Sequence, residues 1–335
     1  EVSVLDSPAL SVVLPGSKVE MIDHEGIVQF TADFDAQDTL VVKTDSELLR
    51  DSLAAQLPGI DLDLRVKLDR NARFAIVEGD IRDRKALRGL AARHKFKVIV
   101  HLAARAGVRA SLRAPLLYEE VNCGGTLNML EFAREHAVGR FVFGSSSSVY
   151  GASGAIPFAE GDRADLPLSP YAATKRSCEL LCHAWHHLYG IHATCLRFFT
   201  VYGPRQRPEM AIHRFTRRIV RGEPIEVYGD GTSRRDYTYV DDIVDGLIKA
   251  IDTPFPFEII NLGESMTVEL NRLIAALEKA IGKKAALKTL PEQPGDVPVT
   301  CAEIRKAREL LGYNPRVQIE EGVRRFVDWY RRVNP

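Results

Sequence analysis

The chain has 335 residues, of which 45% are hydrophobic, and its 45 basic side chains balance 45 acidic ones. That length can bury the core of one large α/β unit or of two domains, and the even charge argues against a nucleic acid or a membrane surface as partner. No apolar run approaches a membrane span, and five cysteines without a C-x-x-C pair fit a reduced, cytoplasmic protein.

Taken in chain order, Thr39-Leu-Val-Val-Lys-Thr44 predicts a strand and Asp45 to Leu57 a helix, with Thr44 and Glu47 spaced as a capping box. Arg73-Phe-Ala-Ile-Val77 predicts a short strand that ends at Glu78-Gly-Asp-Ile-Arg-Asp83, and Arg84 to His94 predicts a helix. Lys97-Val-Ile-Val-His-Leu102 is near-continuously apolar, the pattern of a strand buried on both faces. It runs into Ala103 and Ala104, whose small side chains let a flat ligand approach the backbone. Leu116 to His136 predicts a long helix, Arg140-Phe-Val-Phe143 a third strand, and Ala193-Thr-Cys-Leu-Arg-Phe198 a fourth. This alternation predicts a doubly wound parallel sheet with helices on both faces and ligands bound beyond the carboxyl ends of its strands.

Beyond residue 203 the texture changes. Gly203-Pro-Arg-Gln-Arg-Pro208 is a basic loop and Tyr228-Gly-Asp-Gly-Thr-Ser-Arg-Arg-Asp236 a polar one, as expected of a smaller substrate lobe. A helix from Asp241 and the strand Glu258-Ile-Ile-Asn-Leu262 are expected to return to the large sheet. Helices near Val268–Ile281, Ala302–Leu311 and Ile319–Arg332 complete the lobe. The expected division is an atypical segment over 1–66, a cofactor domain over 67–202 with return elements near 240–263, and a substrate lobe over 203–335.

The chemistry concentrates in Ser169-Pro-Tyr-Ala-Ala-Thr-Lys175. Tyr171 and Lys175, four apart, share one helix face. A lysine beside a tyrosine favours the phenolate, a general base for a substrate hydroxyl. About twenty residues upstream, Phe143-Gly-Ser-Ser-Ser-Ser-Val-Tyr-Gly151 is apolar and strand-like before it breaks into hydroxyls. Cys178, Cys182 and His186 recur at i, i+4, i+8 on the Tyr171 helix, a pattern that could hold zinc. A helix face packed on a neighbour is the better reading, and no metal is expected.

These motifs resemble an extended short-chain dehydrogenase/reductase of the nucleotide-sugar epimerase and dehydratase group. The resemblance is carried by Gly79-Asp80-Ile81, His101-Leu-Ala-Ala104, Asn122, the serine run, Tyr171 with Lys175, Arg235-Asp-Tyr237, Pro294-Gly-Asp-Val-Pro298 and Leu310-Leu-Gly-Tyr-Asn-Pro315. It implies a Rossmann-like fold, NAD as cofactor, a UDP-sugar substrate and a homodimer packed through helices 116–136 and 171–189. Tyr171 would be the base, Lys175 would hold the nicotinamide ribose, and Ser146 would bond the sugar hydroxyl. Asp80 and Ile81 would meet the adenine, and Leu102, Ala103 and Ala104 the cofactor backbone. Asn122 would lie beside cofactor or substrate, Arg235 would meet the diphosphate, and Asp296 the uridine ribose.

Dehydratases of this group place an acid directly after the catalytic hydroxyl, and sugar-acid decarboxylases a glutamate two residues before the motif tyrosine. Here Ser147 and Ser148 stand there, and neither can act as an acid at neutral pH. Epimerisation at C4 is therefore implied, with both serines on the substrate side. Phe198-Phe-Thr-Val-Tyr-Gly-Pro-Arg-Gln-Arg-Pro-Glu-Met-Ala211 is similar to the UDP-glucuronate 4-epimerase subgroup, in which Thr200 and Arg207 would meet the sugar carboxylate and Arg109 would lie on another site loop. A neutral hexose, as in a UDP-glucose-type 4-epimerase, and a non-catalytic nucleotide-sugar binder stay open as alternatives.

One part of the pattern is missing. The family begins with a strand, a G-x-x-G-x-x-G loop and a helix that cradle the cofactor diphosphate. Residues 1–66 hold only Gly16, Gly26 and Gly59, and the best stand-in, Thr39 to Leu57, puts Asp45 and Glu47 at the helix start. Carboxylates repel a diphosphate there, and side chains block the close backbone approach that glycine permits. Asp61 and Asp63 are the candidates for the acid that would hold an adenosine ribose. NAD binding weaker than is usual for the family is the expectation.

Overall fold

Five parallel strands make the central sheet of the computed structural model. The structure describes residues 77, 79–92, 94–152, 156–291 and 297–334, with the backbone of five short strands between residues 12 and 75. Those strands are β1 (Val12–Val13), β2 (Lys18–Ile22), β3 (Val28–Asp33), β4 (Thr39–Val42) and β5 (Phe74–Ala75). There follow α1 (Arg84–Ala91), β6 (Val98–His101), α2 (Val108–Arg113), α3 (Pro115–Tyr118), a π-helical turn (Glu119–Gly124), α4 (Gly125–Glu135) and β7 (Arg140–Ser146). Next come a 3-10 turn (Ser147–Tyr150), α5 (Pro170–Tyr189), β8 (His192–Phe198) and β9 (Thr200–Tyr202). The remainder is α6 (Ala211–Arg221), β10 (Ile225–Tyr228), β11 (Arg234–Arg235), β12 (Tyr237–Tyr239), α7 (Val240–Asp252), β13 (Phe257–Leu262), β14 (Val268–Glu269), α8 (Leu270–Ile281), β15 (Leu287–Leu290), α9 (Arg305–Leu311) and α10 (Ile319–Val333).

The sheet order is β13-β8-β7-β6-β4. The strand read at Thr39–Thr44 is present as β4 and joins the sheet beside β6; the helix read over Asp45–Leu57 lies outside the described residues. β13 returns to the sheet next to β8, as expected. β5 departs from the parallel alternation: it pairs antiparallel with β1, because the edge beside β6 is taken by β4.

Alternating strand residues feed two cores, which makes the sheet doubly wound. Val98, Val100, Val142 and Leu196 face a core shared with α6, α7, α8 and α10. Ile99, Phe141, Phe143, Ala193 and Cys195 face the other, shared with α1, α4 and α5. The first core runs without a break into the elements beyond residue 203. There β10 pairs parallel with β15, β9 parallel with β12, and β11 antiparallel with β14.

Local chemistry sets the helix ends. Ser169 accepts a hydrogen bond from Ala172 N, Pro170 fills the first turn, and Gly190 closes α5 at φ 69°. Asp83 caps α1 by accepting from Lys85 N and Ala86 N. Two reads differ in detail. The long helix of Leu116–His136 carries the π-helical turn around Asn122, and the helix read from Ala302 starts at Arg305. Ala302 instead forms a β-bridge with Phe158, and its N–H donates to Asp236 Oδ2 at 2.9 Å.

Candidate active site

The carboxyl ends of β6 and β7, the start of α5 and the loop after β9 converge on one region. Lys175 is buried, and its ammonium donates to Gly144 O at 2.7 Å and lies 4.8 Å from the Phe143 ring centroid. Gly144 permits this tight junction, since a Cβ there would fall 2.6 Å from Leu102 Cδ2. Tyr171, one turn earlier on α5, is half-buried, and its ring meets Tyr118 edge-on with centroids 6.2 Å apart.

Along β7 the hydroxyls alternate. Ser145 points inward and donates to Glu179 Oε1 at 2.7 Å, whereas Ser146, the last residue of the strand, is half-buried. Ser146 Oγ accepts from Ser148 N at 3.2 Å and Ser148 Oγ at 3.0 Å, so the 3-10 turn holds Ser147 and Ser148 beside it.

Beneath the serines lies a buried ion pair. Glu179 accepts from Arg197 Nε and Nη2 at 2.8 and 2.9 Å, from Ser145 and from Arg176. Burial pushes its carboxyl up, but Arg197 and these other donors outweigh burial and hold it below the ordinary value. Arg197 also stacks over Tyr150, whose hydroxyl donates to Asn261 Oδ1. His101, at the end of β6, is buried with Nε2 against Thr126 Oγ1; burial, helped by the Lys175 charge, lowers its pKa to about 3, so the ring is neutral.

Of the residues expected at the cofactor, Asp80 is half-buried and ion-paired with Arg82 at 2.6 Å, and Ile81 is fully buried. Leu102 and Ala104 are half-buried and Ala103 buried. Asn122 is buried and its amide is engaged within the protein: Oδ1 accepts from Arg105 N at 2.7 Å, and Nδ2 donates to Arg105 O and Thr174 Oγ1. It clamps the 103–107 loop to α5, and the π-helical turn is what aims it there.

On the substrate side, Arg207 pairs with Glu209 at 2.7 Å, and Thr200 is half-buried on β9. Arg109 is exposed on α2 and stacks 4.9 Å over Tyr228, which ties the cofactor half to the polar loop. Arg235 donates to Arg234 O and Pro298 O, while Asp296 lies outside the described residues. Its neighbour Asp236 is buried and accepts from Thr238 Oγ1 and from the backbone of Glu264, Ser265 and Ala302, so the Arg235-Asp-Tyr237 motif is anchored through its middle residue.

Tyr118 has no signal in the sequence, yet it gathers the site. Burial raises its phenol above the ordinary value against the pull of Arg105 and Arg207, with Tyr171 and Glu209 also close enough to act on it. Its hydroxyl donates to Ala106 O at 2.7 Å. Glu179 does have a signal in the sequence, since it lies eight residues after Tyr171 and four after Lys175 on the same helix face. Cys178, read with Cys182 and His186 as a metal candidate, donates to Asn122 O and Thr126 Oγ1, and His186 Nδ1 meets Ile191 O. Among the described residues no group of three or more His, Cys, Asp or Glu is gathered for a metal, and no helix is long and apolar enough to cross a membrane.

The sequence from 49 to 263 matches the pattern of the NAD dependent epimerase/dehydratase family. The chain belongs to that family. The match begins within the 1–66 segment that lacks the glycine loop. The chain is 45% identical over 264 residues to a UDP-glucuronate 4-epimerase of Thermodesulfobacterium geofontis, covering 78% of this chain and 81% of the relative. Among solved structures it resembles the UDP-glucuronic acid 4-epimerase of Bacillus cereus in complex with UDP-glucuronic acid and NAD, with TM-score 0.74 and 35% identity over 86% of this chain and 87% of that one. A UDP-glucose 4-epimerase of Thermotoga maritima with UDP-glucose gives TM-score 0.75 at 30% identity, over 85% and 95%.

Proposed function

We propose that this protein is an NAD-dependent nucleotide-sugar 4-epimerase that interconverts UDP-glucuronate and UDP-galacturonate by transient oxidation at C4. The observation that carries the sugar-acid reading is Arg207, a guanidinium whose charge reaches Tyr118, the ring that stands edge-on to Tyr171. A carboxylate at C5 of the sugar next to the reacting C4 hydroxyl suits such a partner, because charge-assisted bonds are the stronger kind. The names of the relatives support the same substrate class.

NAD fits the described residues at its two ends. Lys175 has three N–H donors and Gly144 O takes one, which leaves capacity for ribose hydroxyls, and Ala103 and Ala104 present small side chains at the end of β6. Asp80 and Ile81 stand for the adenine end. When bound, NAD supplies the hydride acceptor and donor for C4. Tyr171 takes the C4 hydroxyl proton at Oη and later returns it, and Lys175 keeps positive charge close to that helix face. Ser146 donates to the sugar oxygen, with Ser147 and Ser148 lining the sugar. Without an acid at either position, water loss has no proton donor there. Thr200 and Arg207 take the carboxylate, Arg109 closes the site across Tyr228, and Arg235 with Asp296 holds the diphosphate and ribose.

A homodimer is part of the same reading, supported by Leu116, Leu127, Leu180 and Leu188, all exposed on the helices over 115–135 and 170–189. A second reading, a nucleotide-sugar binder without turnover, is favoured by the missing glycine loop alone. Incubating the protein with UDP-glucuronate, with and without added NAD+, decides between them. UDP-galacturonate should form, and Tyr171→Phe should slow it by at least about 100-fold. Binding of UDP-glucuronate with no product under either condition would sink the enzymatic reading.

A further inference from the structure

A carboxylate of the kind that Arg207 would take from a substrate is already present in the protein. Glu209 Oε1 lies 2.7 Å from Arg207 Nη1, and Arg207 Nη2 meets Met210 Sδ at 3.6 Å. The loop that carries them is stapled: Gln206 N donates to Gly203 O, Gln206 Nε2 to Val201 O, and Met210 N to Arg207 O. The two partners differ in freedom. Arg207 is held at 19% side-chain exposure, whereas Glu209 is 54% exposed and can leave for water without disturbing the loop. The charges of both reach Tyr118, the ring that stands edge-on to Tyr171, and the loop follows β9, the strand that carries Thr200.

We infer that Glu209 is a specificity-setting residue, an internal carboxylate that occupies Arg207 until a sugar carboxylate displaces it. This rests on the sugar-acid reading above and adds a regulator to it. A guanidinium presents its donors in one plane, and a carboxylate on Nη1 takes an edge that an incoming carboxylate would use. Binding of a UDP-sugar acid is then an exchange of one anion for another, which keeps affinity moderate. A neutral UDP-hexose makes no such exchange, since it leaves the Arg207–Glu209 pair closed. Glu209 acts through Arg207 and touches no reacting atom, so its influence falls on KM and not on kcat.

The test compares wild type, Glu209→Gln, Arg207→Gln and the double variant, with UDP-glucuronate and UDP-glucose, in excess NAD+ and by calorimetric binding. Glu209→Gln should lower KM and Kd for UDP-glucuronate by about two- to five-fold, the range an exposed ion pair supports. It should leave the values for UDP-glucose within about two-fold by the same argument. In the Arg207→Gln background the Glu209→Gln change should have no effect. If wild type turns over UDP-glucuronate but Glu209→Gln leaves its KM unchanged, or shifts both sugars alike, the inference about Glu209 falls and the function stands. If wild type neither binds nor turns over UDP-glucuronate, the sugar-acid reading falls and the inference with it.

Discussion

Replacing Glu179 with Gln should damage both stability and turnover, and the structure gives the size of the effect. Arg197 is 1% exposed, and Glu179 supplies its buried counter-charge through two hydrogen bonds of 2.8 and 2.9 Å. Gln keeps the shape but removes the charge, and it places an amide N–H₂ among donors. Leaving one buried ion without its partner costs about 3–5 kcal/mol, a large part of the 5–15 kcal/mol that holds a typical domain together. Replacing both residues with apolar ones, as in Glu179→Leu with Arg197→Met, removes the desolvated charges together and should cost far less than the two single changes summed. Glu179→Gln also leaves one acceptor oxygen in place of two for Ser145, Arg176 and Arg197, and Ser145 holds the end of β7 directly before Ser146. A displacement of about 1 Å there is enough to lower turnover by about 100-fold. Denaturant unfolding of wild type, Glu179→Gln, Glu179→Leu, Arg197→Met and the apolar double variant, followed by fluorescence, measures the coupling. If Glu179→Gln unfolds at the wild-type midpoint, or if the single effects simply add, the pair does not hold this region and the reasoning fails.

Two further outcomes are expected. Purified protein should carry well under one NAD(H) per chain and gain activity on added NAD+, because the sequence lacks the glycine loop that lets backbone approach a diphosphate; stoichiometric cofactor released on denaturation would contradict this. His101, lowered to about 3 chiefly by burial, binds its proton only in the unfolded chain at mildly acid pH. Its contribution to stability is therefore complete above about pH 6.5 and is lost as pH falls below that, by at most about 1.4 kcal/mol per pH unit. His101→Gln should remove that slope, so wild-type and variant stabilities that run parallel from pH 7 to pH 4 would refute the assignment.

Much of the architecture follows from short-range pattern. Near-continuous apolar residues at 97–102 become a strand buried on both faces, and their neighbours divide between two cores by the two-residue period. Ser169, Pro170 and Gly190 state where α5 starts and stops. The β5 pairing escaped that reading because strand order depends on which edge is vacant, and β4 occupies it. Asn122 stood in a helix-forming stretch, and nothing in its neighbours announces a π-helical turn or a clamp to Thr174, 52 residues away.

The alternating α/β order, the helix that puts Tyr171 and Lys175 on one face, and the hydroxyl run without an acid are legible in residue order alone. These are local properties, set by backbone period, capping and residue type. It takes the folded chain to stand Tyr118 edge-on to Tyr171, to rest Ser145 on the Glu179–Arg197 pair, and to spend Asn122 on the 103–107 loop. The Arg207–Glu209 pair is close in sequence, yet its meaning also came from the fold, which brings its charges within reach of Tyr118. The physical reason is common to all four: burial and ion pairing depend on which distant surfaces meet, and residue spacing along the chain does not encode that.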